Sequence, residues 1–502
     1  MNRNRKNALL SLLLAAVMLL PACSEAPGTG GEEAPTAPNP TETLPDAAAE
    51  PEPEETALKA DLPEKTWDGE EVMFLTAQNL GYDWYTSHEI YAEELDGTLI
   101  NDAVYVRNGQ IEQQFDIHIA ETKLPDCHNT ARSAVKAGDD VYDVVMPYIN
   151  STISLATEGL LRDLHKIPFL DLEKPWWDQR ANENLIIADR LFFSTGDIAI
   201  LDNECTMVMF FNKEMIRQHD LDNPYELVRE HGWTLDKVRD MAVEVPHDAN
   251  GDGKLDHSDV WGLSIAFNAP ISMYFGAGER IVNRNEDGTL EFALGSARSV
   301  DVFDRLTQLC YDERMLSDLT TTSAGYDVVS KMFNASQVMM VTFALVDING
   351  MRDAEFEFGI LPYPLYDETQ KEYNNLISTG LVSSVSVPVT CPDPELTGVT
   401  LEAMAYGSTT TLTPAYYDNA LKTRYVRDEE SGEMLDIIFA TRVYDLGFIS
   451  DWGGAGSLVG NLYKSKSTDF ASGWARIQKV ALKQLDKAMQ SFAALDALED
   501  NG

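Results

Sequence analysis

Residues 248–259 read Asp-Ala-Asn-Gly-Asp-Gly-Lys-Leu-Asp-His-Ser-Asp, and their spacing is that of a calcium-binding loop. Side-chain oxygens stand at loop positions 1, 3, 5, 9 and 12 (Asp248, Asn250, Asp252, Asp256 and Asp259). Gly253 occupies the sharp turn at position 6, and Lys254 at position 7 need offer only its backbone carbonyl. Hard Ca²⁺ takes about six to eight oxygens, which this set and one water can supply. Asp259 stands where glutamate is usual, and the shorter carboxylate reaches the ion less readily with both oxygens, so weaker binding is expected. Val260-Trp261-Gly262-Leu263-Ser264 follows as a strand pattern, with no second helix. The ion would therefore brace its surroundings and not open a helix pair. The alternative is a metal-free acidic loop of Asx turns.

A second chemical signal lies at the N-terminus. Arg3, Arg5 and Lys6 precede an apolar run, Ala8 to Leu20, and Leu20-Pro21-Ala22-Cys23 closes it. Basic start, apolar core and small residues before a cleavage point make 1–22 a secretory signal peptide, too short to be a comfortable permanent span. The last four residues resemble the bacterial lipobox, which implies a lipoprotein lipidated at Cys23 with diacylglyceryl and further palmitate-type chains. Each buried methylene contributes about 0.8 kcal/mol, so two or three chains hold a protein at the membrane. From Ser24 to Leu58 there are seven prolines, nine carboxylates and no basic residue. Such a segment buries too little to offset its ordering entropy, so 23–66 is expected to be a disordered tether. It would average on the order of 35 Å end to end as a flexible coil.

These features must be carried by a large folded body, expected over 67–502. The chain has 502 residues, 44% of them hydrophobic, enough for more than one core. Its net charge of −44 repels nucleic acid and anionic lipid and favours solubility. Cys127, Cys205, Cys310 and Cys391 lie far apart with no paired spacing, which argues against a zinc cluster and reads as buried free thiols, although disulfides are permitted outside the membrane. Glu71 to Thr76 reads as a strand, Leu99 to Phe115 as a helix, Asp116 to Glu121 as a strand, Ala131 to Ala137 as a helix and Val141 to Met146 as a strand. This alternation predicts a parallel α/β sheet, with binding loops after Thr76 and Met146. Further on, Leu185 to Phe193 suggests a hairpin, Met207 to Lys213 a short apolar strand and Gln337 to Leu345 a buried one. Trp233 to Val245, Arg298 to Tyr311 and Ala471 to Leu498 suggest helices.

The tract Phe211-Asn212-Lys213, Asn223-Pro224-Tyr225 and Trp233-Thr234-Leu235-Asp236, behind a lipobox, resembles the extracellular solute-binding proteins of bacterial ABC importers, the large carbohydrate-type group. Phe358 to Pro364 is similar to the segment by which that family returns to its first lobe. Pro414 to Tyr417, Met434 to Asp436 and Val443 to Asp445 are similar to late helices of a subgroup from anaerobic Gram-positive bacteria. The resemblance implies a two-lobed, hinge-connected periplasmic-binding-protein-like α/β fold, with lobe 1 over about 67–195 and 355–415 and lobe 2 over about 205–350 and 416–502. It implies an extracellular receptor, tethered to the cell membrane as a monomer, that binds a sugar or oligosaccharide, passes it to an ABC permease for carbohydrate transport and catalyses nothing.

Sugars combine apolar C–H faces with hydroxyl rims, so flat rings beside carboxylates would hold them. Expected loops place Trp84 and Tyr85, Tyr148, Trp176 and Trp177, Tyr274 and Phe275, and Trp452 as ring candidates, with Asp83, Asp197, Glu279 and Asp451 as polar partners. There is no Gly-x-Ser-x-Gly, no His-Glu-x-x-His and no phosphate-binding loop. With 82 carboxylates a glycoside hydrolase pair is not excluded by counting, and a calcium-dependent adhesion or scaffold lipoprotein is a further alternative.

Overall fold

The computed structural model describes residues 58–317, 323–351, 353–417 and 429–499. The signal peptide, Cys23 and the tether as far as residue 57 lie outside the described residues.

The first sheet forms where the alternation places it. β1 (Glu70–Ala77), β2 (Ile117–Leu124) and β3 (Val144–Met146) pair in parallel in the order β2-β1-β3. The helix Leu99–Phe115 connects the first two strands and buries Val104, Ile111 and Phe115. It stops at Asp116, whose left-handed conformation (φ 51°) ends the α-helical ladder. The helix Cys127–Ala137 leads back to β3 and ends at Gly138 in the same way.

The second sheet is built from β4 (Met207–Asn212), β5 (Trp261–Ser264), β8 (Val338–Ala344) and β9 (Phe358–Leu361), in the order β5-β8-β4-β9. Between them β6 (Val282–Arg284) and β7 (Leu290–Phe292) form a separate hairpin. Every residue of β4 and β8 is buried, as their unbroken apolar runs require of central strands. Local capping explains the intervening helices. Asn212 accepts from Met215 N at 3.0 Å, Asn223 caps a helix with Pro224 in its first turn, and Thr234 accepts from Lys237 N at 3.2 Å.

The return to the first lobe comes later than the sequence suggests. Phe358 to Leu361 pairs antiparallel with β4 inside the second sheet, so 355–361 belongs to the second lobe. The crossing follows at β10 (Asn375–Leu376), which pairs with β11 (Arg442–Val443), and at the bridge between Thr206 and Ile377. Residues 383–388 then run antiparallel beside Val145, Tyr148, Leu161 and Ser194. The terminal helix Phe470–Glu499 is not confined to the second lobe either. It starts against Phe303 and Phe292 of that lobe, with ring centroids 5.0 Å from Phe470 and 5.2 Å from Trp474. It ends with Phe492 5.5 Å from Phe192 of the first.

Leu185 to Phe193 is not a full hairpin. Ala188 and Asp189 both take positive φ, and only Ile187 and Arg190 bridge. The four described cysteines are buried and free. Among the described residues no helix is long and apolar enough to cross a membrane.

Gly262 fixes how β5 meets the helix Leu235–Val243. A Cβ built there would lie 1.9 Å from the Ala242 carbonyl oxygen, a backbone atom that has no easy way to yield. Gly262→Ala is expected to destabilise the protein by roughly 2 kcal/mol or more. Urea unfolding checks this, and an unchanged midpoint would contradict the packing.

Candidate functional site

β1 opens into a loop whose shape is set by Asn79. Its Oδ1 accepts from Gly81 N at 2.8 Å and Tyr82 N at 3.1 Å, while its own N–H donates to Thr86 Oγ1 at 3.0 Å. This turn presents the 3₁₀ segment Asp83–Tyr85, on which Tyr82 and Trp84 stack with centroids 4.7 Å apart. Tyr148, at the loop after β3, donates to the Tyr85 carbonyl at 3.4 Å. The two loops expected to bind therefore meet.

They also meet the second lobe. Tyr85 donates its hydroxyl to Asp347 Oδ1, and Asp347 Oδ2 accepts from Ala344 N at 2.9 Å where β8 ends. Tyr326 donates to the Asp347 carbonyl at 3.1 Å and sets its ring 5.8 Å from Tyr82. Burial pushes the Asp347 carboxyl up to about 6.

Beside this contact lies a cavity of about 780 Å³, lined among others by Trp84, Glu89, Tyr91, Asn101, Glu204 and Asn349. Small-molecule sites commonly span about 300–1,000 Å³. The Trp84 Nε1 is buried without a hydrogen-bond partner. Glu89 accepts from His88 N at 2.7 Å and Ile200 N at 3.4 Å. Burial first, then the neighbouring Glu89 and Asp202, raise the Glu204 carboxyl to about 8.

Behind the cavity a polar network crosses between the lobes. Arg442 pairs with Asp178 at 2.6 Å and Asp202 at 3.0 Å, and Tyr444 donates to Asp178 at 2.7 Å. Asp197 is half-buried next to this network, and burial, with Asp202, raises it to about 7.

The other expected ring candidates lie elsewhere. Trp176 and Trp177 are buried because both indoles donate to the buried Glu402, at 3.0 and 2.9 Å, which leaves no face for a solute. Tyr274 and Phe275 are fully buried, packed on Phe470 and Phe448. Trp452 is buried and Gly453 abuts the terminal helix at Ala481, while Asp451 accepts from Ser457 N and Oγ and shapes that turn. Glu279 accepts from Ser299 Oγ at 2.7 Å and lies 3.4 Å from Arg298, a structural role. The exposed Asp83 lies at the cavity, 3.6 Å from His88. Glu89, Glu204, Tyr326 and Asp347 were not legible as site residues, since a carboxylate near an element's end resembles any solvated one. Tyr82 was signalled by its place in Tyr82-Asp83-Trp84-Tyr85.

The loop at 248–259 is wound by side-chain oxygens that accept from its own backbone, a pattern shared by the calcium-loop and the metal-free Asx-turn readings. Asp248 accepts from Gly251 N and Gly253 N at 2.6 and 2.7 Å, Asn250 from Asp252 N at 2.9 Å, and Asp252 from Lys254 N at 2.9 Å. Asp256 accepts from Ser258 N at 2.8 Å, and the buried Asp259 from Ala249 N and Asp256 N at 3.0 and 2.8 Å. Gly251 and Gly253 take φ of 77° and 79°, where a side chain would be strained. Among the described residues, no three or more His, Cys, Asp or Glu side chains converge as a ready metal cluster.

No family model matches the chain, and no curated protein matches it. Solved structures do. A cyclo/maltodextrin-binding protein complexed with maltotetraose is similar over 85% of this chain and 97% of its own, with 13% identity and a TM-score of 0.54. An ABC substrate-binding protein from Listeria monocytogenes in complex with cycloalternan matches over 86% and 100%, at 15% identity and 0.51. An ABC transporter solute-binding protein from Thermotoga lettingae bound with α-D-tagatose matches over 84% and 100%, at 12% and 0.53.

The raised carboxyls carry a pH consequence. Glu204 at about 8, Asp197 at about 7, and Asp202 and Asp347 at about 6 hold protons more tightly folded than unfolded. Stability is then greatest on the acid side and falls as pH rises through these values. The melting temperature is expected to drop by about 3 °C or more from pH 5 to pH 8.5. A flat or rising profile would contradict the burial of these groups.

Proposed function

Proceeding from the two-lobed solute-binding-protein fold, we propose that this protein is an extracellular receptor that closes two lobes around a saccharide and delivers it to an ABC import permease. The observation that carries the reading is the cavity at the lobe junction, with Trp84 and Tyr91 offering rings and Glu89, Glu204 and Asn349 offering polar groups. The rings cover apolar sugar faces and the polar groups meet hydroxyls. Because Trp84 and Asn349 belong to different lobes, a solute touching both favours the closed state, and closure needs no bond to be made or broken. Lipidation at Cys23 and the acidic tether of 23–66 would keep the receptor at the outer membrane surface within reach of its permease.

Calcium at 248–259 is part of the proposal. Asp248, Asn250, Asp252, Asp256 and Asp259 supply oxygens, with the Lys254 carbonyl. Each carboxylate has lone pairs beyond those its backbone N–H donors use. The set suits a hard ion held near the wall of the second lobe, since Trp261 of β5 donates to the Asp256 carbonyl at 2.8 Å.

Calorimetric titration with maltotetraose, cycloalternan and tagatose is expected to give one-to-one binding for at least one member, with a smaller radius of gyration in X-ray scattering. Trp84→Ala is expected to weaken that binding by at least about tenfold. Release of new reducing ends over time, or no saccharide binding at all, would contradict the receptor reading. For the metal, EDTA-treated protein is expected to gain several degrees of melting temperature in millimolar Ca²⁺, and Asp252→Ala to abolish the gain. No shift would remove calcium from the account.

A further inference from the structure

Beside the cavity the two lobes meet through a phenol and a carboxylate, and each partner is held in place by its own lobe. In the first lobe, Asn79 Oδ1 accepts from Gly81 N and Tyr82 N, and Thr86 N donates to the Asp83 carbonyl at 2.8 Å. Tyr85 ends the 3₁₀ segment of that turn, with Tyr148 donating to its carbonyl at 3.4 Å. In the second lobe, Asp347 lies in the 3₁₀ segment Leu345–Met351 that follows β8. Its Oδ2 accepts from Ala344 N at 2.9 Å. Tyr326, packed on Phe343 of β8 with ring centroids 4.9 Å apart, donates to its carbonyl at 3.1 Å. The Tyr85 hydroxyl then donates to Asp347 Oδ1 between these two frames. At the start of the same turn Tyr82 sets its ring against Tyr326 and donates to Asp327 Oδ1 at 3.3 Å.

Neither Tyr85 nor Asp347 is among the residues that line the cavity, although Trp84, Thr86 and Asn349 beside them are. The pair therefore responds to the separation of the lobes and not to the solute. The asymmetry of a buried hydrogen bond makes it effective. With the lobes apart, water can serve both groups, whereas with the lobes together Asp347 is buried and depends on the donors aimed at it. Without the Tyr85 hydroxyl, closing leaves Oδ1 short of a donor, and the closed state alone bears that cost.

We propose that Tyr85 and Asp347 form a clasp that sets how much of the empty protein is closed, and through that fraction the affinity for every solute alike. A receptor whose competent form is partly populated binds with its intrinsic dissociation constant divided by that fraction. The clasp thus scales all affinities without choosing among solutes, and choice stays with cavity residues such as Trp84. This assignment rests on the receptor reading above and adds to it two positioning residues that the solute does not touch.

The test is Tyr85→Phe, which keeps the ring and removes only the donor. It is made in the full chain with spin labels at the exposed positions Val141→Cys and Leu255→Cys on a Cys23→Ser background. Measured by pulsed electron spin resonance without solute, the short-distance fraction is expected to shrink about threefold or more. Calorimetric titration with maltotetraose, cycloalternan and tagatose is expected to show each saccharide that the unaltered protein binds weakened by that same factor, within about twofold. Adding Tyr85→Phe to Asp347→Ala is expected to change nothing further, since either substitution removes the same bond. A distance distribution that Tyr85→Phe leaves unchanged, with or without a lower urea midpoint, overturns the clasp and leaves the receptor reading standing. So does weakening out of proportion to the distance change, or confined to one of several saccharides, which makes Tyr85 a solute contact. An effect that persists in full beside Asp347→Ala overturns the part of Asp347. If no saccharide binds the unaltered protein, the receptor reading falls, and the distances in the empty protein still decide the clasp.

Discussion

The guanidinium of Arg442, held between Asp178 and Asp202, ties together the segments that run between the two sheets. Asp178 caps the helix Gln179–Asn184 in the first lobe, Asp202 lies in the turn that leads into β4, and Arg442 itself sits on β11 beside β10. All three side chains are nearly withdrawn from solvent. Removing one member of such a group leaves charge without compensation and typically costs about 3–5 kcal/mol. The crossings are thereby fixed to one another, and motion is left to the lobes on either side.

Around that junction the structure places its contacts in a way that suits a grip. The aromatic turn after β1 reaches Asp347 and Tyr326 of the second lobe, so the lobe-to-lobe contact is made by side chains next to those that line the cavity. The terminal helix runs from one lobe to the other, with Phe470 and Trp474 at one end and Phe492 at the other, and adds apolar packing behind the crossings. The loop at 248–259 stands apart from the cavity, against β5, where an ion would stiffen a wall without meeting the solute.

What was legible in the sequence follows the range of the forces involved. The helix Leu99–Phe115 and the strands β1, β4 and β8 were readable because periodicity and apolar runs are local signals. The Asx-type turns of the loop at 248–259 were readable for the same reason. Trp176 and Trp177 misled because their fate is decided by Glu402, more than 220 residues away, which accepts from both indoles. Nothing near Lys174-Pro175 announces that partner. The segment Phe358–Leu361 was assigned to the wrong lobe because its antiparallel pairing with β4 is a tertiary choice. In the same way Trp84 and Tyr148 could be picked as loop residues following parallel strands, whereas Asp347 and Glu204 required the second sheet to be in place before their position meant anything.

The central claim is that the lobes close on a solute that leaves unchanged. Its most direct test is the distance across the lobes, measured by pulsed electron spin resonance on a Cys23→Ser background between labels at the exposed positions Val141→Cys and Leu255→Cys, the four described native thiols being buried. The account predicts a broad distribution without solute that collapses to one shorter distance at saturation, with the solute recovered intact by mass spectrometry. A distribution indifferent to a bound saccharide, or a solute recovered cleaved, would contradict it.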